Sequence, residues 1–211
     1  MKKKLIALML IAASAMAFSP AKTEEGWISL FDGKTLNGWK VGENAATFSV
    51  ENGTIVAHGE TAHLFYEGTA NDHDFKNFHF KAKVMTKPGS NSGIYFHTEY
   101  QESGWPAKGY EIQVNNTHTD WRKTAGIYAV KDVKKSAAKD NAWFTEEIIV
   151  EGKHIITKVN GKVQADYTEP DNVQREEGMK QRVISHGTFA LQGHDPKSVV
   201  YFKDIMVKPL P

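Results

Sequence analysis

Asn91-Ser92-Gly93-Ile94-Tyr95-Phe96-His97-Thr98-Glu99 and Gly109-Tyr110-Glu111-Ile112-Gln113-Val114-Asn115-Asn116 each alternate two kinds of side chain along the chain. Successive side chains of a β-strand point to opposite faces, so the alternation predicts two strands with one apolar and one polar face. Ile94, Phe96 and Thr98 fall on one side with Tyr110, Ile112 and Val114. Tyr95, His97 and Glu99 fall on the other with Glu111, Gln113 and Asn115. The apolar side needs a second layer to cover it.

The rest of the chain supplies strands for that layer. Residues 47–50 and 54–57 flank Glu51-Asn52-Gly53, and residues 154–159 and 162–165 flank Asn160-Gly161. Both read as hairpins, because Asn-Gly readily takes the positive φ angles of tight hairpin turns. Phe78, Phe80, Ala82 and Val84 alternate with His79, Lys81, Lys83 and Met85, the pattern of a half-buried strand. Further strands are expected at 27–31, 126–130, 144–150, 188–192 and 199–207. In the last, the apolar phase slips between Phe202 and Ile205, which predicts a bulge near Asp204. The only helix candidate is 172–182, interrupted by Gly178. With no repeat, linker or low-complexity stretch, the expectation is an all-β fold: a two-sheet antiparallel sandwich formed by residues 22–211 as one domain.

Lys2-Lys3-Lys4, an apolar run over 5–18, and the small residues of Ala15-Met16-Ala17 or Ser19-Pro20-Ala21 read as a secretory signal peptide over 1–21, cleaved near 17 or 21. The run is shorter than the roughly 20 apolar residues of a spanning helix. The chain has no cysteine, hence neither a lipid-attachment site nor a disulfide framework. A periplasmic or secreted protein that leaves the membrane after cleavage is expected. Lys and Arg number 26 against 25 Asp and Glu; the leader removes three lysines, leaving 23 against 25, a net of −2. That balance argues against nucleic acid as a partner. The basic run 131–139 reads as a solvated loop, and no feature fixes an oligomeric state.

A third strand joins the polar face. In Gly187-Thr188-Phe189-Ala190-Leu191-Gln192-Gly193-His194-Asp195, Gln192 and His194 lie opposite in phase to Phe189 and Leu191. Tyr128 extends the set, and the loop 100–106 brings Trp105 to its rim, where an indole suits the C–H face of a sugar ring. Solvated sheet faces usually carry Lys, Glu and Thr. This one concentrates Gln, Asn, His and Tyr, groups that supply hydrogen bonds and proton transfer, so a binding or catalytic face is expected. Two-carboxylate glycosidases need their carboxyl groups roughly 5–9.5 Å apart. Here Glu111 is followed by the amides Gln113 and Asn115, and Glu99 is the second carboxylate only if the strands pair closely. Asn71-Asp72-His73-Asp74 and His118-Thr119-Asp120 read as polar turns rather than metal ligands. His58, His63, His79, His154 and His186 read as surface or structural. No serine elbow, phosphate loop or dinucleotide fingerprint occurs, so neither a serine nucleophile nor a nucleotide cofactor is indicated.

Trp27-Ile28-Ser29-Leu30-Phe31-Asp32-Gly33-Lys34-Thr35-Leu36-Asn37-Gly38-Trp39 resembles the opening signature of the 3-keto-disaccharide hydrolase domain family. Asn91 to Phe96, Gly109-Tyr110-Glu111-Ile112-Gln113, the Asn160-Gly161 hairpin and Leu191-Gln192-Gly193-His194 are similar to its later blocks, in the same order. The resemblance spans about Gly26 to Pro209. It implies a concanavalin-like jelly roll that acts on a carbohydrate already oxidised at C3. A C3 ketone acidifies the C2 proton, so a base removes it, the C1 substituent leaves by β-elimination, and water addition completes net hydrolysis. On that reading His97, Glu111 and His194 are the catalytic candidates. Tyr95, Gln113, Asn115, Tyr128 and Gln192 would hold sugar hydroxyls or the enolate, with Lys83 or Arg122 assisting if directed inward, and Glu99 and Trp105 completing the substrate contacts. The sequence requires no cofactor, although a divalent metal ion is an alternative stabiliser of the enolate. Many relatives carry Arg where this chain has His97. The competing functions are a non-catalytic carbohydrate-binding module and a conventional glycoside hydrolase.

Overall fold

The computed structural model describes residues 26–211; the leader expected at 1–21 lies outside the described residues. In chain order the strands are β1 (Ile28–Ser29), β2 (Trp39–Val41), β3 (Phe48–Glu51), β4 (Thr54–Ala57), β5 (Ala62–Tyr66), β6 (Phe78–Thr86), β7 (Ser92–Thr98) and β8 (Tyr110–Val114). They continue as β9 (Lys123–Ile127), β10 (Lys131–Val133), β11 (Phe144–Glu151), β12 (His154–Val159), β13 (Lys162–Thr168), β14 (Thr188–Gly193) and β15 (Val200–Pro209). One sheet runs β13-β12-β11-β6-β15-β4-β3, with β1 added along β15; the other runs β10-β9-β8-β7-β14-β5-β2. The strand pairs are antiparallel throughout.

The two hairpins form where Asn-Gly places them. Asn52 and Gly53 take φ of 48° and 79°, and Asn160 and Gly161 take 48° and 76°. The slipped phase in β15 is a bulge, with Asp204 at φ 48° and the register shifting between Lys203 and Met206. The core lies between the sheets. Phe80, Ile148, Phe202 and Val207 from one meet Ile94, Ile112, Val114 and Leu191 from the other, all fully buried. Phe189 of β14 reaches across to Phe78 and Phe80, ring centres 4.9 and 4.7 Å away. Each such side chain contributes roughly 1.5–3 kcal/mol on burial. The apolar phase read for Phe80 and Ile112 therefore holds.

Several expectations need correction. Residues 172–182 contain no helix: Gly178 sits at φ 85°, and the stretch runs as turns between β13 and β14. The strand expected at 126–130 lies earlier, at Lys123–Ile127, and the basic run begins with a short edge strand, β10. The strands β2 and β5 were not anticipated, β5 being buried on both faces and so showing no alternation. Among the described residues no helix is long and apolar enough to cross a membrane.

Candidate active site

The outward face of β8-β7-β14-β5 is polar in sequence but buried in fact. Tyr95, Gln113 and Gln192 are each 1 % exposed and Glu111 is 6 % exposed. A merely wet sheet face would be open. This one is roofed by the loop carrying Trp105, Pro106 and Ala107, by Asp120, and by Gly178, Met179 and Arg182 of the segment between β13 and β14. Between floor and roof lies a cleft of about 340 Å³, also lined by Asn91, Tyr128 and His194.

Glu111 is the carboxyl on its floor. It stands directly opposite Tyr95 in the β7–β8 ladder. Gln192 Nε2 donates to Glu111 Oε1 at 3.1 Å and to the Tyr95 hydroxyl at 3.0 Å. Arg182 Nη2 lies 4.0 Å from Glu111 Oε2. Burial pushes the Glu111 carboxyl above the usual range, opposed by the Arg182 charge and by hydrogen bonds with Tyr95 and Gln192. Burial, and then the Glu111 charge, hold the Tyr95 phenol well above its ordinary value. The carboxyl fits because residue 93 is glycine, where a Cβ would stand 2.7 Å from Glu111 Oε1. Beside it, Gln113 Nε2 donates to Asn91 Oδ1 at 2.5 Å and to the Ser92 carbonyl at 3.0 Å. The acceptors Gln113 Oε1 and Gln192 Oε1 are buried with no protein partner. Leaving such an atom unpaired costs about 1–3 kcal/mol, which a hydroxyl-bearing ligand would relieve.

His194 faces the mouth of the cleft. Its Nδ1 lies 2.7 Å from Asp195 Oδ2, leaving Nε2 for a ligand. Asp195 is braced by Ser198 Oγ at 2.8 Å and the Lys197 amide at 2.8 Å. Burial draws Asp195 upward, but the hydrogen bonds from His194, Ser198 and Lys197 outweigh it and hold the carboxyl below its usual value. Trp105, half exposed, lies over His194 and His63 with ring centres 5.5 and 5.4 Å away.

Tyr95, Trp105, Glu111, Gln113, Tyr128, Gln192 and His194 thus share one cleft, while five expected residues stand elsewhere. His97 sits on a bulge: Thr188 pairs Thr98 but Phe189 pairs Phe96, so His97 is the extra residue, at φ 55°. Its ring turns from the cleft onto Phe96 and Phe78, centres 5.0 and 5.7 Å away. Its Nε2 lies 2.9 Å from the Lys76 carbonyl and its Nδ1 accepts the Ser185 amide at 3.2 Å. Past the bulge the phase is lost, and Glu99 points to solvent, paired with Lys108 at 3.1 Å. Asn115 follows the last residue of β8 and organises a turn, donating to the Asp120 and Arg122 carbonyls at 3.0 and 2.7 Å and accepting the His118 amide at 2.9 Å. Arg122 lies behind the cleft wall, its guanidinium 4.6 Å from the Tyr128 ring and 3.2 Å from Asp132 Oδ1. Lys83 is remote, paired with Asp204 at 3.4 Å in a separate cavity on the opposite sheet.

Sequence reasoning missed Arg182 and Asn91, while His63, read as surface or structural, is a buried structural residue beside the cleft. Arg182 lies in an irregular segment with no periodicity to read; its Nη1 donates to the Tyr128 carbonyl at 2.9 Å. Asn91 carries a signal in retrospect, standing two residues before Gly93 next to the strand that positions Glu111. His63 pairs in register with Gln192 on unanticipated β5, and burial, then repulsion from His194, lower its pKa to about 3. Three histidines read as surface or structural have carboxylate partners: His79 with Glu147 at 2.9 Å, His154 with Asp166 at 2.8 Å and His186 with Asp74 at 2.7 Å. Among the described residues no three His, Asp or Glu side chains are arranged to hold a metal ion.

A curated Bacteroides thetaiotaomicron protein named 3-keto-disaccharide hydrolase is 28% identical over 153 residues, which are 60% of this chain and 53% of that protein. The chain therefore spans about half the length of the curated relative it matches. A solved Parabacteroides distasonis structure assigned as a glycosyl hydrolase superposes with a TM-score of 0.74 at 23% identity, covering 92% of this chain and all of that one. A family GH16 endo-β-1,3(4)-glucanase superposes at 0.52 with 14% identity, covering 90% of this chain and 93% of that one. These likenesses identify the two-sheet fold as a jelly roll of glucanase type. Because the profile of the 3-keto-alpha-glucoside-1,2-lyase-like domain matches residues 26–208, from the Trp27 block through the cleft to the last strand, the chain belongs to that family.

Proposed function

We propose that this protein is an enzyme that cleaves 3-keto-glycosides by elimination and hydration, in the periplasm or outside the cell. The observation that carries the reading is Glu111, a single buried carboxyl among floor amides, with the His194–Asp195 pair at the mouth. The other carboxylate lining the cleft, Asp120, has Oδ1 engaged by the Arg122 amide at 2.9 Å. Family membership and the name of the Bacteroides relative support the same substrate class.

In this account the Glu111 carboxylate takes the C2 proton that the C3 ketone has acidified. Burial that raises its pKa makes it a stronger base. The electron pair moves into the C2–C3 bond and charge gathers on the C3 oxygen, which the Arg182 guanidinium would stabilise. As the ketone re-forms, the C1–O bond breaks and the leaving oxygen takes a proton from His194. In the hydration step, water entering the cleft exchanges the proton held by Glu111; His194 then takes a proton from water, hydroxide bonds to C1, and Glu111 gives a solvent-derived proton to C2. Unpaired Gln113 Oε1 accepts a sugar hydroxyl, and Trp105 stacks on a ring at the mouth.

The test offers the mature protein a 3-keto-disaccharide and its unoxidised parent. Release of the leaving sugar from the keto compound alone is expected, with Glu111→Gln reducing turnover at least 1,000-fold while the fold is retained. Release from both compounds would make the protein a conventional glycosidase. Binding without release would make it a carbohydrate-binding module.

A further inference from the structure

We infer that Arg175 is a positioning residue: through the Arg182 backbone and the Tyr110 hydroxyl it fixes the Arg182 guanidinium opposite Glu111. An arginine side chain has many rotamers, and Arg182 belongs to the stretch 169–187, which has no helix and no strand of its own. Something must hold its backbone. Arg175 Nε donates to the Arg182 carbonyl at 2.7 Å, and Glu169 accepts the Ile184 amide at 3.1 and 3.2 Å, so the residues around Arg182 are tied.

The tie is itself half-buried and anchored. Arg175 Nη2 donates to the Tyr110 hydroxyl at 2.9 Å and the Tyr167 hydroxyl at 3.1 Å, and lies 3.5 Å from Glu169. Tyr110 donates to Glu169 in turn. Tyr110 is also the chain neighbour of Glu111, and strand alternation sends its ring to the core side while Glu111 faces the cleft. One strand therefore fixes the carboxyl directly and, through Tyr110 and Arg175, the backbone of the cation facing it. Donating to the Arg182 carbonyl from Nε and to both phenols from Nη2 at once uses the planar fork of a guanidinium, which a lysine lacks.

The inference uses the proposed role of Glu111 only for its catalytic meaning, so its test reads Glu111 without substrate. The groups facing that carboxyl are Tyr95 from β7, Gln192 from β14, His194 beyond β14 and Arg182. Glutamate 13Cδ NMR follows the titration of Glu111 in the ligand-free protein, with the resonance identified by its loss in Glu111→Gln. Arg182→Met is expected to move the midpoint up by about one pH unit, a tenfold change in acidity, as opposite charges this close do. Arg175→Lys, which keeps a cation beside Glu169, is expected to move it in the same direction by at least half as much. Tyr167→Phe, which removes one anchor with little loss of packing, should give a smaller upward shift. A Glu111 midpoint that stays put in Arg175→Lys and Tyr167→Phe while Arg182→Met raises it would overturn the inference, whatever happens to thermal stability. Where turnover is measurable, the acid limb of its pH profile should shift with the NMR midpoint. Lack of turnover with the midpoints moving as expected would count against the proposed reaction and leave the positioning role intact.

Discussion

Withdrawing an imidazole from water favours its neutral form, and burial against Phe78 and Phe96 lowers the pKa of His97 to about 4, with the Lys76 carbonyl working against the shift. An unfolded chain takes up this proton near 6.5, so between about 6.5 and 4 the unfolded state binds more protons than the folded one. The contribution is complete above 6.5 and is lost as pH falls through that window, by roughly 3 kcal/mol at most. Urea midpoints of the wild type should therefore fall from pH 7 to 4.5 more steeply than those of His97→Gln, whose amide can still bridge Lys76 and Ser185. Identical slopes would contradict the placement of this ring. The alternation of Tyr95, His97 and Glu99 carries no sign of the bulge, because an extra residue leaves the residue types unchanged. Its trace is glycine at 109 and 187, where a Cβ would come within 2.7 and 2.9 Å of the His97 carbonyl carbon.

At the scale of elements, a further bulge shapes the site from behind. Ala125, in β9, has φ 67° and turns its backbone groups into the sandwich. Its carbonyl accepts Thr157 Oγ1 from β12 at 2.6 Å, while its amide faces the Glu146 carboxyl of β11 without full hydrogen-bond alignment. The bulged strand leads into Tyr128, whose amide donates to the Glu111 carbonyl at 3.0 Å. Glu146 is fully buried, and burial holds its pKa well above the ordinary carboxylate range. For an acid so shifted, stability is greatest below the unfolded pKa of about 4.3 and declines as pH rises toward the folded value, by about 1.4 kcal/mol per unit. Glu146→Gln should flatten this decline, so that its melting temperature relative to wild type rises as the pH is raised above 5; parallel curves would refute it. The elements legible in sequence were those with a period or a turn signature, such as β6 and the two Asn-Gly hairpins. The strand β5 hid because both its faces are buried, and the segment carrying Arg182 hid because neither period applies to it.

On the scale of the molecule, the two sheets divide the labour. The Phe189 cluster and the facing aliphatic rows back β7, β8 and β14, so polar groups on their outer faces keep fixed spacings beneath the roof loops. That division explains how far the sequence could be read. Alternation was enough to put Tyr95, Glu111, Gln113 and Gln192 on one face, and strand order then brought His194 to the same cleft. Of the roof only the Trp105 loop was legible, since Met179 and Arg182 reach the cleft by tertiary contacts alone. The central claim is proton abstraction beside a ketone at that floor. Its most direct test is turnover of a 3-keto-disaccharide in D2O, quenched early and compared with an enzyme-free control, with the released 3-keto sugar examined at C2 by mass spectrometry and NMR. Elimination and hydration predict one solvent deuterium at C2 for each turnover, and release of a product that keeps its original C2 protium would contradict the account.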